Sequence, residues 1–179
     1  MFKLLYPYEY VDSVFCIDYN KLFKKGYRGI IFDIDNTLVH HGDDSTKEID
    51  ELFKTIQNMR FKTLLLSNNN EERVKRFLKN IDSLYICEAE KPKTTNYLKA
   101  VEMMGLTKEE TVFVGDQLFT DILGANKSGI ANILVKFIRS NNETKIGKRR
   151  QLENLILKMY RKNKKFQNRL GNIDTMGGN

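Results

Sequence analysis

Gly29-Ile30-Ile31-Phe32-Asp33-Ile34-Asp35-Asn36-Thr37-Leu38-Val39 is the stretch that decides the fold. A short apolar run opened by glycine stops abruptly at two carboxylates and a turn. Such a run reads as a strand, Gly29–Ile34, buried on both faces, with its carboxyl end bringing polar side chains to one edge of a sheet. The pattern recurs along the chain. Lys62–Leu66 runs into Ser67-Asn68-Asn69-Asn70, and Leu84–Cys87 is followed by Lys91-Pro92. Thr111–Val114 runs into Gly115-Asp116-Gln117 and then Thr120-Asp121, and Ala131–Phe137 closes the series. The intervening stretches carry helical faces: Ile49, Leu52, Phe53, Ile56; Val74, Phe77, Leu78, Ile81; Tyr97, Leu98, Val101, Met104 with Gly105 as C-cap; and Asp121–Ser128 ending at Gly129. This alternation predicts an α/β fold: a Rossmann-like parallel sheet of about five strands in the order 3-2-1-4-5, with helices on both faces.

Composition narrows the classes. In 179 residues, 41% are hydrophobic and 30% charged, which excludes a membrane-embedded protein, a collagen-like fibre and a fully disordered chain. The opening residues interrupt their apolar run with Pro7 and Glu9, unlike a secretory or transit segment. Cys16 and Cys87 supply neither a disulfide framework nor a zinc set and read as buried, reduced thiols. Tyr6, Tyr8, Tyr10, Phe15 and Tyr19 read as packing for the N-terminal segment. The net charge of +7 is uneven: residues 145–169 hold ten Lys/Arg against the single acid Glu153, and the rest of the chain is near neutral. The chain therefore divides into a folded domain, 1–144, and a basic, partly amphipathic tail, 145–179. Gly177-Gly178 reads as a frayed end.

Parallel sheets hold their ligands beyond the carboxyl ends of the strands. Four strand ends here point four polar clusters at one edge. Asp33 and Asp35 repel each other unless a cation or proton lies nearby, and Asp116 adds a third carboxylate. A few hard oxygen ligands with room for water suit Mg²⁺. Facing them are the Ser67 hydroxyl, the Asn68 amide and the Lys91 ammonium, donors suited to a phosphoryl group. One aspartate can attack phosphorus to form an acyl phosphate, and a second can protonate the leaving oxygen and later deprotonate water.

Taken in order, these residues resemble the haloacid dehalogenase superfamily. Phe32-Asp33-Ile34-Asp35-Asn36-Thr37-Leu38-Val39 is similar to its motif I, Ser67-Asn68 to motif II, Lys91-Pro92 to motif III, and Gly115-Asp116-Gln117-Leu118-Phe119-Thr120-Asp121 to motif IV. The resemblance implies Asp33 as nucleophile and metal ligand, and Asp35 as acid/base and ligand through its carbonyl. It further implies Thr37 as the loop-ordering residue, Ser67, Asn68 and Lys91 as phosphate binders, Asp116 as metal ligand and Asp121 as support for Lys91 or a metal-bound water. Residues 1–140 more narrowly resemble the YqeG-like group of the superfamily's class IIIA, which implies phosphatidylglycerophosphate as substrate and phosphatidylglycerol as product.

The intervals of 34 residues from Asp33 to Ser67 and 24 from Ser67 to Lys91 leave no length for a cap domain, so the site is expected to be open. An open cleft favours a phospholipid headgroup or a macromolecule over an enclosed metabolite. Leu152, Leu155, Ile156, Met159 and Tyr160 fall on one helical face flanked by bases. That face predicts peripheral association of 145–169 with an anionic membrane surface, and a cytoplasmic protein at its inner face. The bland reading is that the face packs on the body. Alternatives are a capless phosphatase for a soluble sugar, nucleotide or phosphoprotein, and, outside enzymes, a metal-dependent phosphate-binding module with a nucleic-acid-binding tail; nucleic acid is not the expected partner. His40 and His41 read as surface residues rather than metal ligands.

Overall fold

The computed structural model describes residues 2–138 and 147–175. The 144/145 boundary and Gly177-Gly178 lie outside the described residues. The strands are β1 (Glu9–Val11), β2 (Gly29–Phe32), β3 (Lys62–Leu66), β4 (Leu84–Ile86), β5 (Thr111–Gly115) and β6 (Ala131–Val135). All pairings are parallel, in the order β1-β6-β5-β2-β3-β4. With β1 set aside this is the expected order 3-2-1-4-5. The sixth strand is the difference: β1 pairs with β6 in the register Glu9↔Ile133 to Val11↔Val135. Three residues that include a glutamate carry no strand signal of their own, so this edge is set by its tertiary partners.

The helices are α1 (Tyr19–Lys24), α2 (Lys47–Asn58), α3 (Glu71–Phe77), α4 (Thr94–Met103), α5 (Leu123–Ser128) and α6 (Lys148–Lys162). Two of the helices that leave the functional edge start at capped turns. Thr46 accepts from the Ile49 amide at 3.3 Å to open α2, and Asn70 from the Arg73 amide at 3.0 Å to open α3. Capping fixes where each strand-end loop stops.

Strand alternation builds a core on each face of the sheet. Ile30 and Phe32 of β2 point into a cluster with Ile49, Phe53 and Ile56 of α2 and Val74 and Phe77 of α3. Ile31, between them, points to the other face, among Tyr97, Ala100 and Val101 of α4 and Ala125 of α5. Because both faces are covered, β2 shows no polar alternation until it reaches the sheet's edge. Between β2 and β3 lie one loop and α2, and between β3 and Lys91 lie α3 and β4. No cap domain is inserted in either interval.

The described part of the tail packs on this body. Ile156, Leu157 and Tyr160 of α6 are buried with Tyr6, Leu118, Ile122 and Leu134. At about 1.5–3 kcal/mol for each fully buried large apolar side chain, this contact alone docks the helix. Further on, Leu170 and Ile173 join the main core, and buried Glu9 accepts from the Leu170 and Asn172 amides at 2.9 and 3.1 Å. The expected single apolar face of α6 is split: Ile156 and Tyr160 are buried, whereas Leu152, Leu155 and Met159 are exposed. At about 100° per residue the apolar arc is wider than one contact can cover. Cys16 is buried and Cys87, beyond the edge strand β4, is half-buried; both are free. Tyr6 and Tyr19 are buried, but Phe15 is exposed.

Candidate active site

Four strand ends converge as the sequence requires. At the end of β2 the Asp33 amide donates to the Val114 carbonyl at 2.9 Å, which ties this carboxylate to β5. The chain then turns through Asn36, whose φ of 63° lies in the left-handed region that asparagine tolerates. The turn is closed by the Thr37 and Leu38 amides donating to Ile34 and by the Asn36 amide donating to Val39. It brings the Thr37 hydroxyl between two carboxylates, 3.0 Å from Asp33 Oδ2 and 3.3 Å from Asp116 Oδ1. Asp33, Thr37 and Asp116 are all buried.

Lys91 is buried too, and its ammonium bridges Asp33 Oδ1 at 2.5 Å and Asp121 Oδ1 at 2.8 Å. The remaining oxygen of Asp121 accepts from the Asp116 and Gln117 amides at 3.1 and 2.9 Å. Asp121 thus has both oxygens committed, one to Lys91 and one to the backbone that carries Asp116. Gly115 makes this possible: a Cβ there would stand 2.6 Å from the Asp121 side chain. Tyr97 fastens the same turn from below by donating its hydroxyl to the Thr120 and Asp121 carbonyls at 3.0 and 3.2 Å.

Asp35 faces elsewhere. Its carboxylate accepts from the Gly42 amide at 2.9 Å, from Arg73 Nη2 at 3.0 Å and from Asn69 Nδ2, with His41 Nδ1 at 3.8 Å. Ser67 Oγ accepts from the Asn69 amide and side chain at 3.2 and 3.1 Å, which leaves its own proton for an anion. Asn68 turns its Oδ1 to the Lys91 amide at 2.8 Å and so sets the position of that lysine's backbone. Asp33, Asp35, Ser67, Asn68 and Lys91 line one cleft of about 160 Å³, with Asn36, His41, Asn69, Gln117 and Thr120 at its walls. Thr37, Asp116 and Asp121 lie beneath it.

The carboxyl groups titrate in opposite senses. Burial raises Asp33 to about 6, with Asp121 adding to the rise and Lys91 opposing it. Burial and the charges of Asp121 and Asp33 raise Asp116 to about 8, which Arg150 only partly offsets. Burial would raise Asp35 as well, but the Gly42 amide, Arg73 and Asn69 outweigh it and hold this carboxyl below its ordinary value. Burial works against the charge on Lys91, and Asp121 and Asp33 more than restore it. Sequence reasoning missed Arg73, Asn69 and Arg150. Only Asn69, within the Ser67–Asn70 run, carried a positional signal.

A family model described as haloacid dehalogenase-like hydrolase matches residues 41–129. The chain is 38% identical over 156 residues to the probable phosphatase YqeG of Bacillus subtilis (strain 168), a match spanning 87% of this chain and 91% of that protein. The chain belongs to the haloacid dehalogenase-like hydrolase family. It is a phosphatase of that family. Solved structures share the fold. An uncharacterized protein from Listeria monocytogenes serotype 4b aligns with a TM-score of 0.52 at 20% identity, over 75% of this chain and 99% of its own. The cobalt-bound deoxy-D-mannose-octulosonate 8-phosphate phosphatase YrbI from Haemophilus influenzae aligns with a TM-score of 0.50 at 18% identity, over 79% of this chain and 92% of its own.

In a hydrolase of this family the acidic cluster fits a divalent cation. Carboxylate oxygens of Asp33, Asp116 and Asp121 lie within 4.8 Å of one another. The Thr37 hydroxyl has one proton for two acceptors, so it cannot satisfy both Asp33 and Asp116. These two carboxylates offer hard oxygens that a cation would satisfy together. Asp121, with both oxygens used, is their anchor. The cluster contains Asp33 and Asp116, the two carboxylates of the expected metal set. Asp35 enters that set through its main chain by resemblance, and its side chain turns toward Arg73.

Proposed function

We propose that this phosphatase is a Mg²⁺-dependent phosphomonoester hydrolase that passes the phosphoryl group through Asp33, and that it converts phosphatidylglycerophosphate to phosphatidylglycerol. The observation that carries the reaction is the buried contact of Asp33 with Lys91 and Thr37 at the floor of an uncovered cleft. Asp33 and Asp116, with the Asp35 carbonyl, would hold the Mg²⁺, which would supply charge neutralisation to the phosphoryl oxygens.

The chain's own residues do the rest. Ser67 donates its hydroxyl proton and Lys91 its charge to the phosphoryl oxygens, and together they place phosphorus against Asp33. An Asp33 oxygen bonds to phosphorus as the bond to the leaving oxygen breaks, and Asp35 gives that oxygen a proton. Asp35 then takes a proton from water, the water oxygen attacks phosphorus, and the Asp33 carboxylate returns with release of inorganic phosphate. Asp35 is held ionised by Arg73 and its other donors, which suits the second step. An arriving phosphate dianion opposes that ionisation and gives Asp35 the proton affinity the first step requires.

Support for a lipid substrate comes from the open cleft and from α6. Leu152, Leu155 and Met159 form an exposed stripe on a helix that also carries Lys148, Arg149, Lys158 and Lys162. Apolar side chains among cations match an anionic membrane surface, and each base near it contributes about 1 kcal/mol. Among the described residues no helix is long and apolar enough to cross a membrane. The reading places the protein in the cytoplasm, resting on the inner face of the membrane through α6.

The deciding assay compares phosphatidylglycerophosphate in mixed micelles with soluble sugar, nucleotide and peptide phosphates. The lipid is expected to give the highest kcat/KM, and an equal or better soluble substrate overturns the lipid assignment. Flotation with anionic vesicles is expected to fail when Leu152, Leu155 and Met159 are all changed to serine. Equal flotation of variant and wild type removes the membrane role.

A further inference from the structure

The first turn of α6 reaches into the acidic cluster. Arg150 Nη2 pairs with Asp116 Oδ2, and Nη1 donates to the Asp116 carbonyl at 2.7 Å. The same Nη1 lies 2.8 Å from Glu153 Oε2, one turn along the helix. Glu153 is itself buried and held, because its other oxygen accepts from the Leu118 amide at 3.0 Å. Arg150 is therefore shared between a fixed glutamate and the one carboxylate of the cluster that Lys91 does not reach.

We propose that Arg150 holds Asp116 in the metal-free chain, that it competes with the divalent cation for that carboxylate, and that Glu153 retains it when it gives way. The proposal rests on the reading of Asp33 and Asp116 as the cation site. Its physical basis is that two cations beside one buried carboxylate repel each other with little solvent between them. The Asp116 side chain is 0% exposed and that of Arg150 is 20% exposed, so the guanidinium alone has a route out. A cavity of about 230 Å³ lined by Asp116, Arg150, Tyr10, Leu118, Lys136 and Glu153 gives it room to move. The helix need not undock, since Ile156, Leu157 and Tyr160 hold it by apolar contact. Arg150 thus sets how tightly the site takes its cation.

Calorimetric titration of Mg²⁺ into the metal-free full chain tests this without reference to turnover. Arg150→Gln is expected to tighten binding about tenfold, equivalent to about 1.4 kcal/mol. Glu153→Gln keeps an acceptor for the Leu118 amide but weakens the alternative partner of Arg150, so it is expected to loosen Mg²⁺ about threefold. General destabilisation does not move the two variants in opposite directions. Unchanged or weaker binding by Arg150→Gln, with wild type binding normally, overturns the proposal and leaves the cation site standing. No binding by any of the three proteins overturns the cation site and the proposal with it. Should Arg150→Gln fail to fold, Glu153→Gln decides alone: looser binding supports the competition, and unchanged binding ends it.

Discussion

Asp33 and Asp35 leave the same strand two residues apart and line the same cleft, yet they occupy opposite electrostatic settings. The neighbours of Asp33 are another two carboxylates and a lysine that it shares with Asp121. Asp35 is surrounded by donors: a backbone amide, a guanidinium and a carboxamide. One environment is short of positive charge, with three carboxylates around Lys91, and the other surrounds a single carboxylate with donors, so burial raises the first carboxyl to about 6 while the second stays below its ordinary value. Residue type and spacing are the same for both. What separates them is which distant element closes over each: β5 and its following turn over Asp33, and α3 over Asp35.

The comparison breaks most severely at Asp33. Asp33→Asn keeps the shape and removes the attacking oxygen's charge, so kcat on an aryl phosphate is expected to fall by at least about a thousandfold with little loss of stability. A variant retaining a tenth of the activity would remove Asp33 from the reaction. Lys91→Met comes next. It leaves Asp33 and Asp121 buried without their shared cation, and unfolding in urea is expected to show a loss of about 3–5 kcal/mol. The corresponding loss at Asp35, with its partners nearer solvent, is expected to be much smaller, and equal losses would contradict the contrast between the two carboxyl groups.

The strand-end clusters around Asp33, Ser67, Lys91 and Asp116 were legible because each sits directly after a short apolar run, and parallel topology alone gathers such ends on one edge. Gly115 and Asp121 were legible as a motif, and the structure supplies the reason: the glycine admits the aspartate's side chain. Arg73 and Arg150 were not legible. Each lies on a helix among other bases, and its acidic partner is 38 or 34 residues away, so only the folded topology singles it out. Glu153 looked like a lone acid in a basic run and is a buried acceptor. The run itself is less solvated than its composition suggests, because Arg169 donates to the Tyr6 carbonyl at 2.9 Å and stacks 3.6 Å from the Tyr8 ring centroid. β1 escaped for a related reason, being a strand only by virtue of β6 beside it.

A smaller effect sharpens the charge-poor side. Burial and neighbouring carboxylates raise Asp33 to about 6 and Asp116 to about 8 in the metal-free chain. The folded chain therefore holds protons that the unfolded chain has released, and stability must fall as pH rises from about 4 toward about 8. A divalent cation replaces those protons, so its affinity is expected to grow with pH over pH 6 to 8, by up to about tenfold per unit. Thermal melts in chelator should give a lower Tm at pH 8 than at pH 6, with Mg²⁺ raising Tm more at pH 8. The same Mg²⁺ shift at both values would mean that no proton leaves when the cation enters, contrary to a cluster short of positive charge.

The charge-rich side yields the mildest expectation and the closest test of the contrast. Arg73 reaches Asp35 with Nη2 alone, which also donates to the Asp43 carbonyl at 2.6 Å, and its buried Nε and Nη1 have no hydrogen-bond partner among the described residues. Arg73→Gln removes the guanidinium and leaves the Gly42 amide and Asn69 in place, so Asp35 rises without losing its position. A higher Asp35 is protonated more of the time for the first step and ionised less of the time for the second. The limb of the kcat profile that needs ionised Asp35 is expected to move up by about one pH unit, with a several-fold change in kcat at neutral pH. Attack by Asp33 depends on none of these donors, which is why the loss stops there. Arg73→Lys restores the charge and should return the limb most of the way, whereas an Arg73 that merely packed the loop would lower kcat at every pH and leave the limb where it was.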